Sequence, residues 1–272
     1  MQSESFLDEA EVAISAEFQE KGYVIVPVDD QQLFCRIRNL VAEKAAAFLG
    51  RESTNLDTFL NDAHHHISLD QLNSLRLDVI RGINSESWFR PAYFKLARPV
   101  LGALVGNELA MQVRVNLSIQ LPRDDGSLLP VHADVWSGDS AYEVVAWLPL
   151  VNCYQTKSMF LLPPSAEKGM RGRFSHYAKQ SSEELYQSIK EDVIWIEIKA
   201  GEVLIFNQNL PHGNRVNEEV ETRWSLNCRF KGVFTPYGDK KLGEFFEPVT
   251  LRAASRIGMS YRLPTLSADS DE

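Results

Sequence analysis

Between residues 111 and 121 apolar and polar side chains alternate without a break. Val113, Val115, Leu117, Ile119 and Leu121 fall on one side of an extended chain, and Gln112, Arg114, Asn116, Ser118 and Gln120 on the other. Residues 222–230 repeat the pattern, with Trp224, Leu226, Cys228 and Phe230 opposite Arg223, Ser225, Asn227 and Arg229. Segments of this kind must bury one face of a sheet. The other face either meets water or lines a cavity. A solvated face is usually rich in Lys, Glu and Thr, whereas these carry Arg, Asn, Ser and Gln, which direct hydrogen bonds to fixed positions. The cavity is the favoured reading.

The apolar faces need a covering layer, and the first hundred residues supply it. Residues 7–21 read as a helix with Leu7, Ala10, Ile14 and Phe18 on one side, closed by Gly22. A short strand, Tyr23–Pro27, leads to a helix over about 31–49 capped by Asp29 or Asp30. Residues 69–82 and 86–105 are also helical in period, the second broken by Pro91 and Pro99. After Gly106 the period changes to two, with strands expected at 111–121, 130–136, 142–150, 157–162, 193–199, 202–206 and 222–230. A long loop at 164–181 and a short helix at 182–190 intervene. The expected fold is α+β: a jelly roll (double-stranded β-helix, cupin-like) with N-terminal helices on its outer sheet face. No linker divides the chain, so one domain is expected over residues 1–266, followed by an acidic disordered tail at 267–272.

Composition narrows the function. A formal net charge of -9 over 272 residues argues against sequence-independent nucleic-acid binding. No apolar run reaches the roughly 18 residues of a membrane span, and the acidic start lacks the layout of a secretory signal. Cys35, Cys153 and Cys228 are odd in number and widely spaced, which points to a reducing, cytoplasmic setting without disulfides or Cys-ligated zinc. A small-molecule substrate is the expected partner.

The candidate chemistry centres on Val131–Trp136. On a strand, His132, Asp134 and Trp136 would project from one face. His212, carried by Asn209-Leu210-Pro211-His212-Gly213-Asn214, is the best third ligand. Two histidines and a carboxylate form the facial triad of non-heme Fe(II) oxygenases. Arg223 follows His212 closely, and a fixed guanidinium can clamp a carboxylate with two hydrogen bonds. Ser225 shares its face. A metal triad with a carboxylate clamp suits a keto acid that chelates iron at one end and is gripped at the other.

Several stretches resemble the phytanoyl-CoA dioxygenase superfamily. Phe18-Gln19-Glu20-Lys21-Gly22-Tyr23-Val24-Ile25-Val26 is similar to its opening, and Gln112-x-Arg114-x-Asn116 to the strand before the metal motif in ectoine-hydroxylase-like members. His132-x-Asp134, His212 and Arg223 match its metal and 2-oxoglutarate positions in order and approximate spacing. Residues 132–164 and 230–248 further resemble oxygenases of bacterial carbohydrate-biosynthesis clusters, which implies a sugar or nucleotide-linked sugar as substrate. The resemblance implies a double-stranded β-helix, Fe(II), 2-oxoglutarate and O2, with hydroxylation of a C–H bond and release of succinate and CO2. It assigns His132, Asp134 and His212 to iron and Arg223 with Ser225 to the distal carboxylate. Asn116 would lie near the keto-acid end, and Gln112, Arg114 and Trp136 would face substrate. Asn214 departs from the Ser or Thr common after His-x, and Asp134 stands where related halogenases carry a small residue.

Two rival readings remain at this stage: a cupin-type metalloenzyme that does not use 2-oxoglutarate, and a silent metabolite-binding module. His64-His65-His66 reads as a solvated loop, or as a mobile segment lending one histidine to substrate. Lys168, Arg171, Arg173, His176 and Lys179 read as a solvated loop, or as a lid for an anionic substrate.

Overall fold

The computed structural model describes residues 5–51, 55–172, 174–177, 179 and 181–264. The N-terminal helices form where the period predicts. α1 (Glu9–Lys21) opens on a capping box between Asp8 and Glu11 and closes on Gly22 at φ +80°, where a Cβ would stand 2.2 Å from Leu210 Cδ1. β1 (Tyr23–Pro27) leads to α2 (Gln31–Phe48), capped by the Asp30 carboxylate accepting from Leu33 N–H. The polar stretch after it is not wholly irregular: it contains α3 (Leu56–Asn61) and a 3-10 turn, Ala63–His65. α4 (Leu69–Asn84) and α5 (Phe89–Val105) follow. The two prolines do not break α5. Pro91 falls in the first turn, whose N–H groups lack intrahelical acceptors anyway, and Pro99 removes one bond from a helix fully packed on both sides of it by Leu96, Ala97, Val100 and Leu101.

The strands are β2 (Leu109–Gln112), β3 (Asn116–Gln120), β4 (Glu143–Pro149) and β5 (Phe160–Leu161). Three short helices follow, α6 (Pro164–Arg171), α7 (Phe174–Tyr177) and α8 (Ser182–Ile189), so the expected long loop is largely helical. β6 (Ile194–Trp195), β7 (Glu202–Asn207), β8 (His212–Gly213), β9 (Arg223–Gly232), β10 (Phe246–Pro248) and α9 (Ala253–Ser260) complete the described chain. The large sheet runs β1-β7-β4-β9-β2-β10, with β3 also on β9; a small one runs β6-β5-β8. All the named strand pairs are antiparallel. The expected acidic tail at 267–272 lies outside the described residues.

The expected strand 111–121 is interrupted. Met111 pairs with Phe230 and Asn116 with Asn227, so five steps on one strand face three on the other, a two-residue bulge. An even insertion preserves the parity of the pleat, which is why the alternation reads straight through it. Val113 and Arg114 turn outward. Asn84 holds the bulge: its amide donates to Val115 C=O at 2.9 Å and accepts from Val115 N–H at 2.9 Å.

The main core lies between the helices and the apolar face of the large sheet. Leu117, Trp224, Leu226, Cys228 and Phe230 pack with Phe34, Leu75, Val79 and Leu96. The indole N–H of fully buried Trp224 donates to Leu60 C=O at 2.9 Å, tying α3 to β9. The opposite face of β3, β4 and β9 looks away from this core, and the site is built on it.

Candidate metal centre

His132 and Asp134 come together, but not by strand alternation. His132 makes a two-way antiparallel bridge with His212, N–H to C=O at 3.0 and 2.8 Å. Asp134 then starts a 3-10 turn, Asp134–Ser137, instead of continuing a strand. Its N–H donates to Gln208 C=O at 3.0 Å, which fixes where the turn begins. The candidate ligand atoms of His132, Asp134 and His212 all lie within 4.8 Å of one another. Asp134 Oδ1 is 3.3 Å from His132 Nε2 and 4.0 Å from His212 Nε2.

Both imidazoles are held by the same local device. His132 Nδ1 lies 2.8 Å from Pro130 C=O, and His212 Nδ1 lies 2.8 Å from Leu210 C=O. A carbonyl can only accept, so each Nδ1 carries its proton and each Nε2 presents a lone pair inward. Burial, and then the neighbouring His132, push the His212 pKa down to about 4 against the opposing pull of Asp134, so His212 is neutral near pH 7. Burial by itself would raise the Asp134 carboxyl. The close His132 imidazole and the Arg229 guanidinium outweigh it and hold Asp134 well below the usual carboxylate range. Two imidazoles with Nε2 turned inward and one carboxylate, converging within coordination range, fit a divalent transition metal.

Arg229 touches the centre directly. Its Nη2 and Nε donate to Asp134 Oδ2 at 2.6 and 3.2 Å, leaving Oδ1 to the histidines. No local pattern marks Arg229 apart from the other polar residues of its strand.

A cavity of about 110 Å³ is lined by the triad, Arg229 and Arg223, with Val145, Trp147, Met159 and Phe206 as apolar walls. It is smaller than the roughly 300–1,000 Å³ of pockets that enclose drug-sized ligands. Arg223 is buried and has no carboxylate partner among the described residues. Nη1 donates to Ser158 C=O at 3.0 Å and Nη2 to Ser118 Oγ at 3.1 Å. Among the described residues Nε finds no partner, and neither do the buried hydroxyls of Ser158 and Ser225. Burial pushes the Arg223 pKa down to about 10. A desolvated guanidinium beside orphaned buried donors fits an incoming carboxylate.

Other expected residues are placed differently. Asn116 is half-buried beside Asn227, its Nδ2 3.5 Å from Asn227 Oδ1. Gln112 is buried at the bulge, where its Oε1 accepts from the Arg229 N–H that has lost a cross-strand partner. Arg114 is exposed on the bulge, and Trp136 is 40% exposed on the 3-10 turn; neither they, Gln112 nor Asn116 lines the cavity. Asn214 does, but its side chain also holds Leu129 N–H at 2.6 Å. His64 is hydrogen-bonded to Thr222 Oγ1 at 3.1 Å, and none of the three consecutive histidines lines the cavity. Arg171 is engaged by Glu167 one turn earlier, while Arg173 and the His176 side chain lie outside the described residues.

The chain shares the fold of EctD and ThoJ. EctD from S. alaskensis, solved with 2-oxoglutarate and 5-hydroxyectoine, aligns with a TM-score of 0.58 at 16% identity, over 86% of this chain and 81% of that one. EctD with bound Fe gives 0.55 at 16% identity, over 86% and 82%. The nickel complex of the non-heme monooxygenase ThoJ gives 0.51 at 16% identity, over 89% and 85%. No sequence-family model matches the chain, and no curated protein does. The likeness is therefore one of fold, and the mixed helix and antiparallel-sheet architecture agrees with it.

Proposed function

We propose that the chain is an Fe(II)/2-oxoglutarate-dependent oxygenase, one domain on a double-stranded β-helix, that hydroxylates a C–H bond of a small polar substrate. The observation that carries this reading is that the His132/Asp134/His212 cluster and the buried, carboxylate-free Arg223 line one cavity. The metals and 2-oxoglutarate found in EctD and ThoJ structures support the choice of ligands. With Fe(II), 2-oxoglutarate and O2 bound, such a centre converts C–H to C–OH as 2-oxoglutarate becomes succinate and CO2.

The protein's own part is placement. His132, Asp134 and His212 hold the metal, with the histidine tautomers set by Pro130 and Leu210. Arg223 grips the distal carboxylate, and the Ser225 hydroxyl beside it gains the partner it lacks. Asn116, off the cavity wall, can act only through Asn227, the cavity-lining residue its amide faces at 3.5 Å. Trp147, Val145, Met159 and Phe206 exclude water, which strengthens the charged contacts inside. The His132 side chain is 28% exposed against 6% for His212, so substrate approaches from the His132 side. Of Gln112, Arg114 and Trp136, the first two lie at the bulge, and Trp136, on the turn that begins at Asp134, is the one we assign to the mouth. The resemblance at 132–164 and 230–248 makes sugars and nucleotide-linked sugars the first candidates.

Succinate release from 2-oxoglutarate, with Fe(II) present and candidate sugars varied, tests the reading. Metal-dependent release that a substrate stimulates supports it. Metal binding without any 2-oxoglutarate binding would favour a cupin-type enzyme, for which Arg223 has no task.

A further inference from the structure

The Asp134 carboxylate is gripped from behind, and the group that grips it is itself contested. Arg229 Nη2 reaches Asp134 Oδ2 at 2.6 Å, while its Nε is 3.4 Å from Asp139 Oδ1. Asp139 is a buried carboxylate with only 1% of its side chain exposed, and it would claim Arg229 if it had no other cation. It has one. Lys240 Nζ donates to both Asp139 oxygens at 2.7 Å. Lys240 sits on the segment after β9, a segment pinned beside the 3-10 turn by Asp239 N–H donating to Gly138 C=O at 2.8 Å. Gln208 completes the seat of Arg229, its Oε1 accepting from Nε at 3.1 Å.

We infer that Arg229 is the positioning residue of the metal centre, and that Lys240 commits it to Asp134 by occupying Asp139. This rests on the metal-centre reading above. Two carboxylates and two cations alternate along the path Lys240, Asp139, Arg229, Asp134. With Lys240 on Asp139, the Arg229 fork saturates Asp134 Oδ2 and leaves Oδ1 facing the two Nε2 atoms. Without Lys240, Asp139 is a buried, uncompensated charge next to that fork and pulls it away. Lys240 is not among the cavity-lining residues, so its effect must pass through Asp139 and Arg229.

The test is calorimetric titration of the apo protein with Ni(II), which binds such centres without turnover, alongside thermal melts. Arg229→Lys keeps the charge and loses the fork; its Ni(II) Kd should rise by about 10- to 100-fold, the usual cost of losing a partner behind a metal ligand. Lys240→Met keeps an unbranched apolar side chain but removes the ammonium, and should weaken Ni(II) by about 10-fold. The double variant Lys240→Met/Asp139→Asn removes the competing charge and should return to the wild-type affinity, a recovery that general loosening of the fold does not produce. Wild-type affinity in Arg229→Lys overturns the positioning role. Wild-type affinity in Lys240→Met, or a double variant no better than the single, overturns the relay. If wild type and His132→Ala both fail to bind Ni(II), the metal-centre reading falls and this inference with it. If wild type binds and only these variants are unchanged, this inference falls alone.

Discussion

Replacing Arg223 with Met separates a co-substrate clamp from a structural ion. In the ligand-free protein the guanidinium sits buried without a carboxylate, its pKa pushed from 12.5 to about 10 by burial. That displacement corresponds to about 3 kcal/mol against the charged form. Its two hydrogen bonds, to Ser158 C=O and Ser118 Oγ, are from a charged donor and contribute about 1.5–3 kcal/mol each. Met of similar length removes both sides of this balance, so the apo stability should change by no more than about 3 kcal/mol, or roughly 6–12 °C in Tm. Binding is different. The substitution removes a desolvated pairing with the distal carboxylate, a loss of about 2–5 kcal/mol, or roughly 30-fold to several thousand-fold in 2-oxoglutarate Kd. Calorimetric titration of the Ni(II)-loaded protein with 2-oxoglutarate reads the second effect, and thermal melts of the apo protein read the first. Unchanged 2-oxoglutarate affinity would refute the clamp. So would an apo Tm lower by roughly 15 °C or more, which would make Arg223 a structural ion.

Further outcomes follow from the same contacts. His132→Ala should abolish the visible charge-transfer band that Fe(II) and 2-oxoglutarate give together under anaerobic conditions, while the melt stays cooperative; a retained band would remove His132 from the ligand set. His212 is neutral in the folded state, with its pKa at about 4, and ordinary at 6.5 when unfolded. The unfolded chain therefore binds the proton first as pH falls, and stability is lost from 6.5 downward. Between pH 6.5 and 5 the apo protein should lose about 2 kcal/mol through this group, a slope that His212→Gln should remove in urea titrations at the two pH values. Asn84→Ala strips both backbone partners from buried Val115 and should cost about 2–4 kcal/mol in denaturant unfolding; a smaller effect would mean that the bulge closes on itself.

Much of this architecture is written locally. The faces of α2 and α4, the cap at Asp30 and the stop at Gly22 follow from period and dihedral preference within a few residues. The opposite faces of residues 222–230 likewise follow from the pleat, and β9 carries Arg223 and Arg229 toward the cavity as its alternation requires. What local pattern could not convey is anything that depends on which distant group lies opposite. The bulge at 113–115 is invisible because inserting two residues leaves parity intact, so Gln112 and Arg114 keep the polar phase yet leave the cavity wall. His132 and Asp134 meet through a bridge to His212 and a turn held by Gln208, not through shared strand direction. Arg229 and Arg223 are alike in the linear chain, six residues apart on one strand face. Among the described residues folding brings Asp134 to the first and no carboxylate to the second, and a charge takes its role from the partner that remains after burial has removed water.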